Sequence, residues 1–451
     1  MSLCLTAALA ACLAASPLDH SPAVELRYSG TLTRAGRGAK MEPEKKFTLL
    51  AFVSSPSAET RRVFYVLDET GGGNWPWPGR FGALEYSSAW QAGRGVPLHL
   101  LHNHDGNPVT VVVQPPILTS PEPLAEGATW TIDRNTAEVA GSEKRGDRDC
   151  WEVRFTTGVG RRRTVFVDKT APLVTGYEER LFMGQGDEFA LKVSLDGVKP
   201  VDAAAWDKLA PTIDTFLKLR EDLKRDVHDI KPELSSDQLA LAATALEQVR
   251  KTVEGTALAP LSAAITRDVR GQQQRVDDVG KLAGKQVGQK APELNLVGLD
   301  KRPIDPTLLK DKIVVLHFWP YHEEPLLEPY GQVAYLDFLH GKRRKLGVQI
   351  VGVAVDERFG DAGRVPTAIR DVNKFKGFMN LSYPIATDDG SLLAKFGDPR
   401  RVGAKLPLWV VITPDEKIAY YQAGLYKVNT DEGLKELDDF LIGKIREKAG
   451  K

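Results

Sequence analysis

The densest group of side chains able to bind a metal or carry protons is His99, His102 and His104, followed by Asp105. In an extended segment His102 and His104 share a face, and Asp105-Gly106 beside them reads as a hairpin turn. Two histidines fall short of the three or four ligands a zinc site requires. The pattern therefore predicts an exposed hairpin end. A second group is His322-Glu323-Glu324. An imidazole and a carboxylate can serve as a general base or as two metal ligands. Adjacent residues rarely converge on one ion, and acids at a helix N-terminus are favoured by the helix dipole, so the plainer expectation is solvated acids opening a helix. Thiol chemistry would have to come from Cys4, Cys12 or Cys150. Cys150 has Asp147, Arg148, Asp149, Trp151 and Glu152 around it, a mixed charge that does not stabilise a thiolate. It is expected to be a small buried hydrophobe. Gly71-Gly72-Gly73 lacks the lysine of a phosphate-cradling loop, and Trp75-Pro76-Trp77-Pro78 after it reads equally as an apolar binding loop, an exposed turn or core cover. The basic patches Arg161-Arg162-Arg163 and residues 342–345 are expected to be solvated, the second favourably placed at a helix C-terminus.

The 451 residues suggest two or three domains. Sixty basic and sixty acidic residues cancel, so nothing favours nucleic acid or an anionic membrane as partner. The apolar run 3–15 is too short to span a bilayer and reads as the core of a signal peptide, residues 1–22, although no Lys or Arg precedes it. A frayed apolar terminus is the competing reading. Export to the periplasm or cell envelope is the expectation. Leu9-Ala10-Ala11-Cys12 also resembles a lipoprotein box, which would anchor the chain through a lipid on Cys12. No other stretch has the length and apolarity of a transmembrane helix.

The elements that would position these groups fall into three parts. Residues 23–200 carry strand-like alternation: Val24, Leu26, Tyr28 and Leu32 share one parity, and Phe189, Leu191, Val193 and Leu195 alternate with Ala190, Lys192 and Ser194. Turn signals separate such runs with no crossover helix between them, which predicts an antiparallel all-β domain: a sheet, sandwich or open barrel. Residues 201–285 change to helical period and predict a three-helix connector. Its stripes are Leu209, Ile213, Phe216, Leu217, Leu223 and Val227; then Leu239, Ala242, Ala243, Leu246, Val249 and Val253; then Leu261, Ile265, Val269, Val276 and Val279. Ser235 to Gln238 reads as a capping box. Residues 286–451 alternate strand and helix, an α/β pattern, with Tyr330, Val333, Ala334 and Phe338 as the apolar face of one helix.

This last part resembles the thioredoxin superfamily, in particular the TlpA/ResA-like redoxins and their alkyl hydroperoxide reductase and thiol-specific antioxidant relatives. The resemblance rests on Gly288 to Pro292, on the strand 313–318 ending in Phe318-Trp319, on Tyr383-Pro384 with Thr387-Asp388-Asp389-Gly390, and on Ala404-Lys405-Leu406-Pro407 before a strand. It implies a thioredoxin-like fold, a cis Pro407 facing the active-site loop, and thiol–disulfide or peroxide chemistry. Those proteins carry W-C-x-x-C after the Phe-Trp pair. Here Trp319 is followed by Pro320, Tyr321, His322, Glu323, Glu324 and Pro325, and no cysteine follows Cys150. The stretch is also about two residues short against the family pattern, so no residue is matched to either cysteine. The resemblance then implies a degenerate groove made by Phe318, Trp319, Tyr321, His322, Glu323, Glu324, Leu406 and Pro407. No catalytic residue, metal or cofactor is expected. Two functions follow. One is a binding or scaffold module holding a peptide or protein partner of the envelope. The other is a thiol–disulfide oxidoreductase or peroxiredoxin-like antioxidant with its thiol from Cys150 or a partner, or an enzyme using His322 and a glutamate for acid–base chemistry.

Overall fold

The computed structural model describes residues 18, 22–35, 43–132, 135–157, 162–226, 228–320, 332–428 and 431–450. Cys4, Cys12 and nearly all of the expected signal peptide lie outside these residues. So do Tyr321, His322, Glu323 and Glu324. The chain divides into two compact units, Met1–Val269 and Arg270–Lys451.

The first unit is built on thirteen strands: β1 (Ala23–Arg34), β2 (Pro43–Ser54), β3 (Thr60–Gly71), β4 (Phe81–Ser87), β5 (Ala92–Gly95), β6 (His99–His104), β7 (Asn107–Val112), β8 (Thr129–Ile132), β9 (Asn135–Arg145), β10 (Arg148–Thr157), β11 (Arg162–Asp168), β12 (Val174–Met183) and β13 (Asp187–Val201). Eleven of them form one sheet in the order β5-β4-β3-β2-β1-β13-β12-β11-β10-β9-β8, while β6 and β7 pair as a separate hairpin. Neighbouring strands run antiparallel, and β1 joins the two wings by pairing with β2 on one side and β13 on the other. Period-two alternation decides the faces. Val24, Leu26, Tyr28 and Leu32 enter one core with Phe189, Leu191 and Val193, covered by Leu98, Leu100 and Val111 of the hairpin region. Trp75 belongs to that core and Trp77 to the other, so the aromatic loop is core cover.

Three helices follow: α1 (Ala203–Asp222), α2 (Ser236–Val249) and α3 (Ala259–Gln286). Ser235 and Gln238 make the reciprocal capping box that opens α2. The apolar stripes of α1, α2 and the first half of α3 pack in one core with Phe52, Phe64 and Phe81 of the sheet. The stripe expected of the third helix holds at Leu261, Ile265 and Val269, but Val276 is 54% exposed. Beyond Val269 the helix runs in the second unit, where Leu282 and Ala283 are the residues that pack against a core.

The second unit has a six-stranded sheet, β14 (Val297–Gly298), β15 (Ile313–Pro320), β16 (Val348–Val355), β17 (Ile385–Asp388), β18 (Leu408–Ile412) and β19 (Ile418–Ala423), in the order β14-β17-β16-β15-β18-β19. β15, β16 and β17 are parallel, and β18 runs antiparallel to β15. Central β15 is buried on both faces, hence its unbroken apolar run. Val315 and Trp319 join a core with α4 (Val333–Arg343), α5 (Val365–Phe378) and α7 (Lys435–Ala449), while Leu316 and Phe318 join the opposite core with α6 (Ser391–Lys395). The apolar face expected of α4 is corrected. The helix begins only after Gln332, and its buried positions are Val333, Leu336, Leu339 and His340; Ala334 is exposed and Phe338 is 60% exposed. No described helix is long and apolar enough to cross a membrane.

The histidine hairpin is also corrected. Asp105 and Gly106 do form its two-residue turn, both with positive φ. His102 and His104 are nevertheless buried, flanking the ring of Phe189, because the hairpin lies over the sheet with that face inward. Their carboxylate neighbours come from β2 and β13, Glu44 and Asp187, which sequence proximity does not reveal.

Candidate functional site

The site that the fold prepares in the second unit lies where β15 ends beside the segment leading into β18. The last paired residues of these strands are Phe318 and Leu408. One step further brings Trp319 and Pro407 to the same end of the sheet. The Leu406–Pro407 peptide is cis. Pro407 is buried and Leu406 half-buried against the core. The Pro407 carbonyl accepts from Gly424 N–H (2.7 Å), and the Gly424 carbonyl accepts from the indole N–H of Trp409 (2.9 Å). The proline segment is thus stitched to the chain leaving β19.

Beneath it lies a layer of enclosed polar side chains. His317 is fully buried and stacks on Trp409, ring centroids 4.0 Å apart. Trp409 meets the Tyr426 ring edge-on at 5.0 Å. Burial pushes the Tyr426 phenol far above its ordinary range, so it holds its proton. Gln332, at the entry to α4, donates to the Tyr426 carbonyl (2.7 Å) and accepts from the Tyr426 N–H (2.9 Å). This amide clamp fixes where α4 starts. Sequence reasoning passed over His317 and Gln332. The only signal was a polar residue inside an otherwise apolar strand and a glutamine ahead of a helix, neither of which specifies a partner.

The structure distributes the expected groove residues unevenly. Phe318 and Trp319 belong to opposite cores, since adjacent strand residues face opposite ways, and both are buried. They support the sheet end from within. Leu406 and Pro320 are the half-buried apolar groups there. The thiol candidate is elsewhere: Cys150 on β10 in the first unit is fully buried, 3.2 Å from the Thr175 hydroxyl, and burial raises its pKa. A buried protonated thiol is neither accessible nor nucleophilic.

Residues 287–421 match the AhpC/TSA family. No curated protein matches the chain. Among solved structures, a thioredoxin-family thiol:disulfide interchange protein from Chlorobium tepidum is 16% identical, covering 35% of this chain and 96% of its own, with a TM-score of 0.27. A secreted Mycobacterium tuberculosis disulfide oxidoreductase is 18% identical over 34% of this chain and 93% of its own, TM-score 0.24. Peroxidoxin BcpB from the same organism is 20% identical over 36% and 97%, TM-score 0.26. With its mixed sheet and flanking helices, the C-terminal part of this chain carries a thioredoxin-like redoxin domain that matches the AhpC/TSA family over residues 287–421.

Proposed function

We propose that this is an exported protein of the cell envelope whose redoxin domain binds a peptide or protein partner instead of exchanging disulfides. The carrying observation is that the matched segment, residues 287–421, contains no cysteine. The position where the family keeps its thiols follows Trp319 and reads Pro320, Tyr321, His322, Glu323, Glu324. A groove beside a cis-proline can hold an extended chain through backbone hydrogen bonds and side-chain pockets without a thiol. In this reading residues 23–200 form the β domain, 201–285 the helical connector and 286–451 the binding module. Tyr321, His322, Glu323 and Glu324 are assigned to the partner groove together with Leu406 and Pro407.

The oxidoreductase alternative needs Cys150 or a partner's thiol, and the burial of Cys150 weighs against the first. Two measurements decide. Purified protein should neither reduce insulin disulfides nor consume peroxide with a thiol donor; turnover abolished by Cys150→Ser would install the alternative. Capture from native envelope should recover a partner with the unaltered chain and lose it with Leu406→Asp. Equal recovery with both would remove the groove. Intact mass of protein from a native-like host should lack the N-terminal segment. A full-length product would end the export reading, and added lipid mass on Cys12 would make the chain a lipoprotein.

A further inference from the structure

Among the described residues, three potential metal donors converge in the first unit, at the tip of the β6–β7 hairpin. His104 Nε2 is 3.1 Å from an Asp187 oxygen and 3.5 Å from an Asp105 oxygen. The three ligand atoms all lie within 4.8 Å of one another. Asp105 sits at the hairpin turn, and Asp187 opens β13 just after the β12–β13 turn. We propose that His104, Asp105 and Asp187 bind a divalent first-row transition ion, Zn²⁺ being the best fitted.

The imidazole nitrogen carries the argument. The His104 side chain is 4% exposed, yet its Nε2, though 3.1 Å from Asp187, makes no well-aligned hydrogen bond. A proton there would align with neither carboxylate, although both are close. Without a proton, a lone pair would face two anionic oxygens. A cation between the three resolves that repulsion. Two ligand atoms on one tetrahedral zinc, each about 2.0–2.2 Å from it, are roughly 3.3–3.6 Å apart; of the separations from Nε2, 3.5 Å falls within that span and 3.1 Å just below it.

Room for an ion is present as well. A Cβ added at Gly184 would lie 2.7 Å from His104 Nε2. Glycine at this position, with φ of 55°, leaves unfilled a space against the Nε2–Cδ2 edge of the imidazole. The surroundings orient the ligands. The edge of Phe189 packs on the His104 ring at 5.4 Å, and the Arg34 guanidinium donates to the Asp187 carboxylate at 2.6 Å. Arg34 fixes that carboxylate while competing for one of its oxygens, which favours reversible over permanent binding. His102 stacks beside His104, centroids 6.2 Å apart, and turns its own nitrogen to Glu44 at 3.3 Å. One imidazole and two carboxylates suit zinc or its neighbours, whereas calcium prefers six to eight oxygens.

The test is isothermal titration of the full chain, stripped with chelator, using Zn²⁺ and, separately, Ca²⁺. Zinc should bind with one-to-one stoichiometry and calcium should not. His104→Gln and Asp105→Asn should each weaken zinc by more than about tenfold, a loss in the range known for disturbed metal sites. Asp105 is largely exposed, so its variant keeps the fold, to be checked by an unchanged metal-free melting curve. X-ray absorption of the zinc-loaded chain should show one imidazole and oxygen donors without sulfur. No zinc binding, binding untouched by both substitutions, or calcium bound as tightly would each overturn the proposal.

Discussion

In the first unit a lysine and a glutamate, Lys45 and Glu69, are wholly enclosed 3.4 Å apart, whereas the enclosed polar groups of the redoxin domain around the end of β15 are rings and an amide. Burial lowers the pKa of Lys45 and raises that of Glu69, each against the pull of its partner. Glu69 also accepts the N–H groups of Trp75 (2.9 Å) and Leu101 (3.0 Å), and Lys45 reaches Gly73 and Asn74. The pair therefore locks the glycine-rich loop and the hairpin to the sheet. The difference separates fold from chemistry. At the end of β15 the enclosed rings of His317, Trp409 and Tyr426 pack on one another, while the first unit encloses an oppositely charged pair.

That contrast can be broken at its strongest point first. Lys45→Ala leaves the Glu69 carboxylate buried without its cation and should cost about 3–5 kcal/mol in urea unfolding. A loss below about 1 kcal/mol would mean the pair is not enclosed in solution. Next, His317→Ala removes a fully buried ring stacked on Trp409 and should cost about 2–4 kcal/mol, the range of large-to-small core changes. Its effect should be the same at pH 5 and pH 8 if packing dominates there; a strong pH dependence would show that a charge on His317 contributes as well.

The smallest effect sharpens the comparison by pH. Asp438 on α7 accepts from Arg343 (2.6 and 2.9 Å) and Lys342 (2.8 Å) of α4. Burial alone would raise its pKa, but these hydrogen bonds hold it below the ordinary carboxylate value. A depressed carboxyl stabilises the fold above its unfolded pKa, and that share is lost as pH falls through the folded value, here below about 4. Asp438→Asn should cost about 1–2 kcal/mol at pH 7 and less at pH 3. An equal loss at both pH values would attribute the contact to shape and not to charge.

Much of the architecture was legible because it rests on local period. Val24 to Leu32 and Phe189 to Val193 lie on the faces their alternation specifies, and Ser235-Gln238 caps α2 as its spacing requires. The redoxin strands were legible from Gly288 to Pro292, Phe318-Trp319 and Leu406-Pro407. What failed was anything set by contacts distant in sequence. His102 and His104 are buried because the hairpin folds back onto Phe189, 85 residues beyond His104. The α4 face was misread because Gln332, held by Tyr426 across 94 residues, decides where the helix starts. Of the basic patches, the second does sit at the C-terminus of α4, but neither is simply solvated: Arg163 bonds Glu179 at 2.8 Å, and Arg343 and Lys342 converge on Asp438 from nearly a hundred residues away.

The pairing of β1 with β13 also sets a timetable for the nascent chain. β1 finds β2 at once, across a short connection, but its other edge waits for the strand that begins at Asp187. At ribosomal speeds of about 5–20 residues per second, some 150 residues of delay amount to roughly 8–30 seconds. Throughout that interval a twelve-residue strand presents unpaired backbone donors and acceptors, a template for pairing with a neighbouring chain. The order of synthesis thus makes the first strand the most vulnerable part of the sheet. Any truncation before β13 should yield a product that depends on chaperones or accumulates in aggregates.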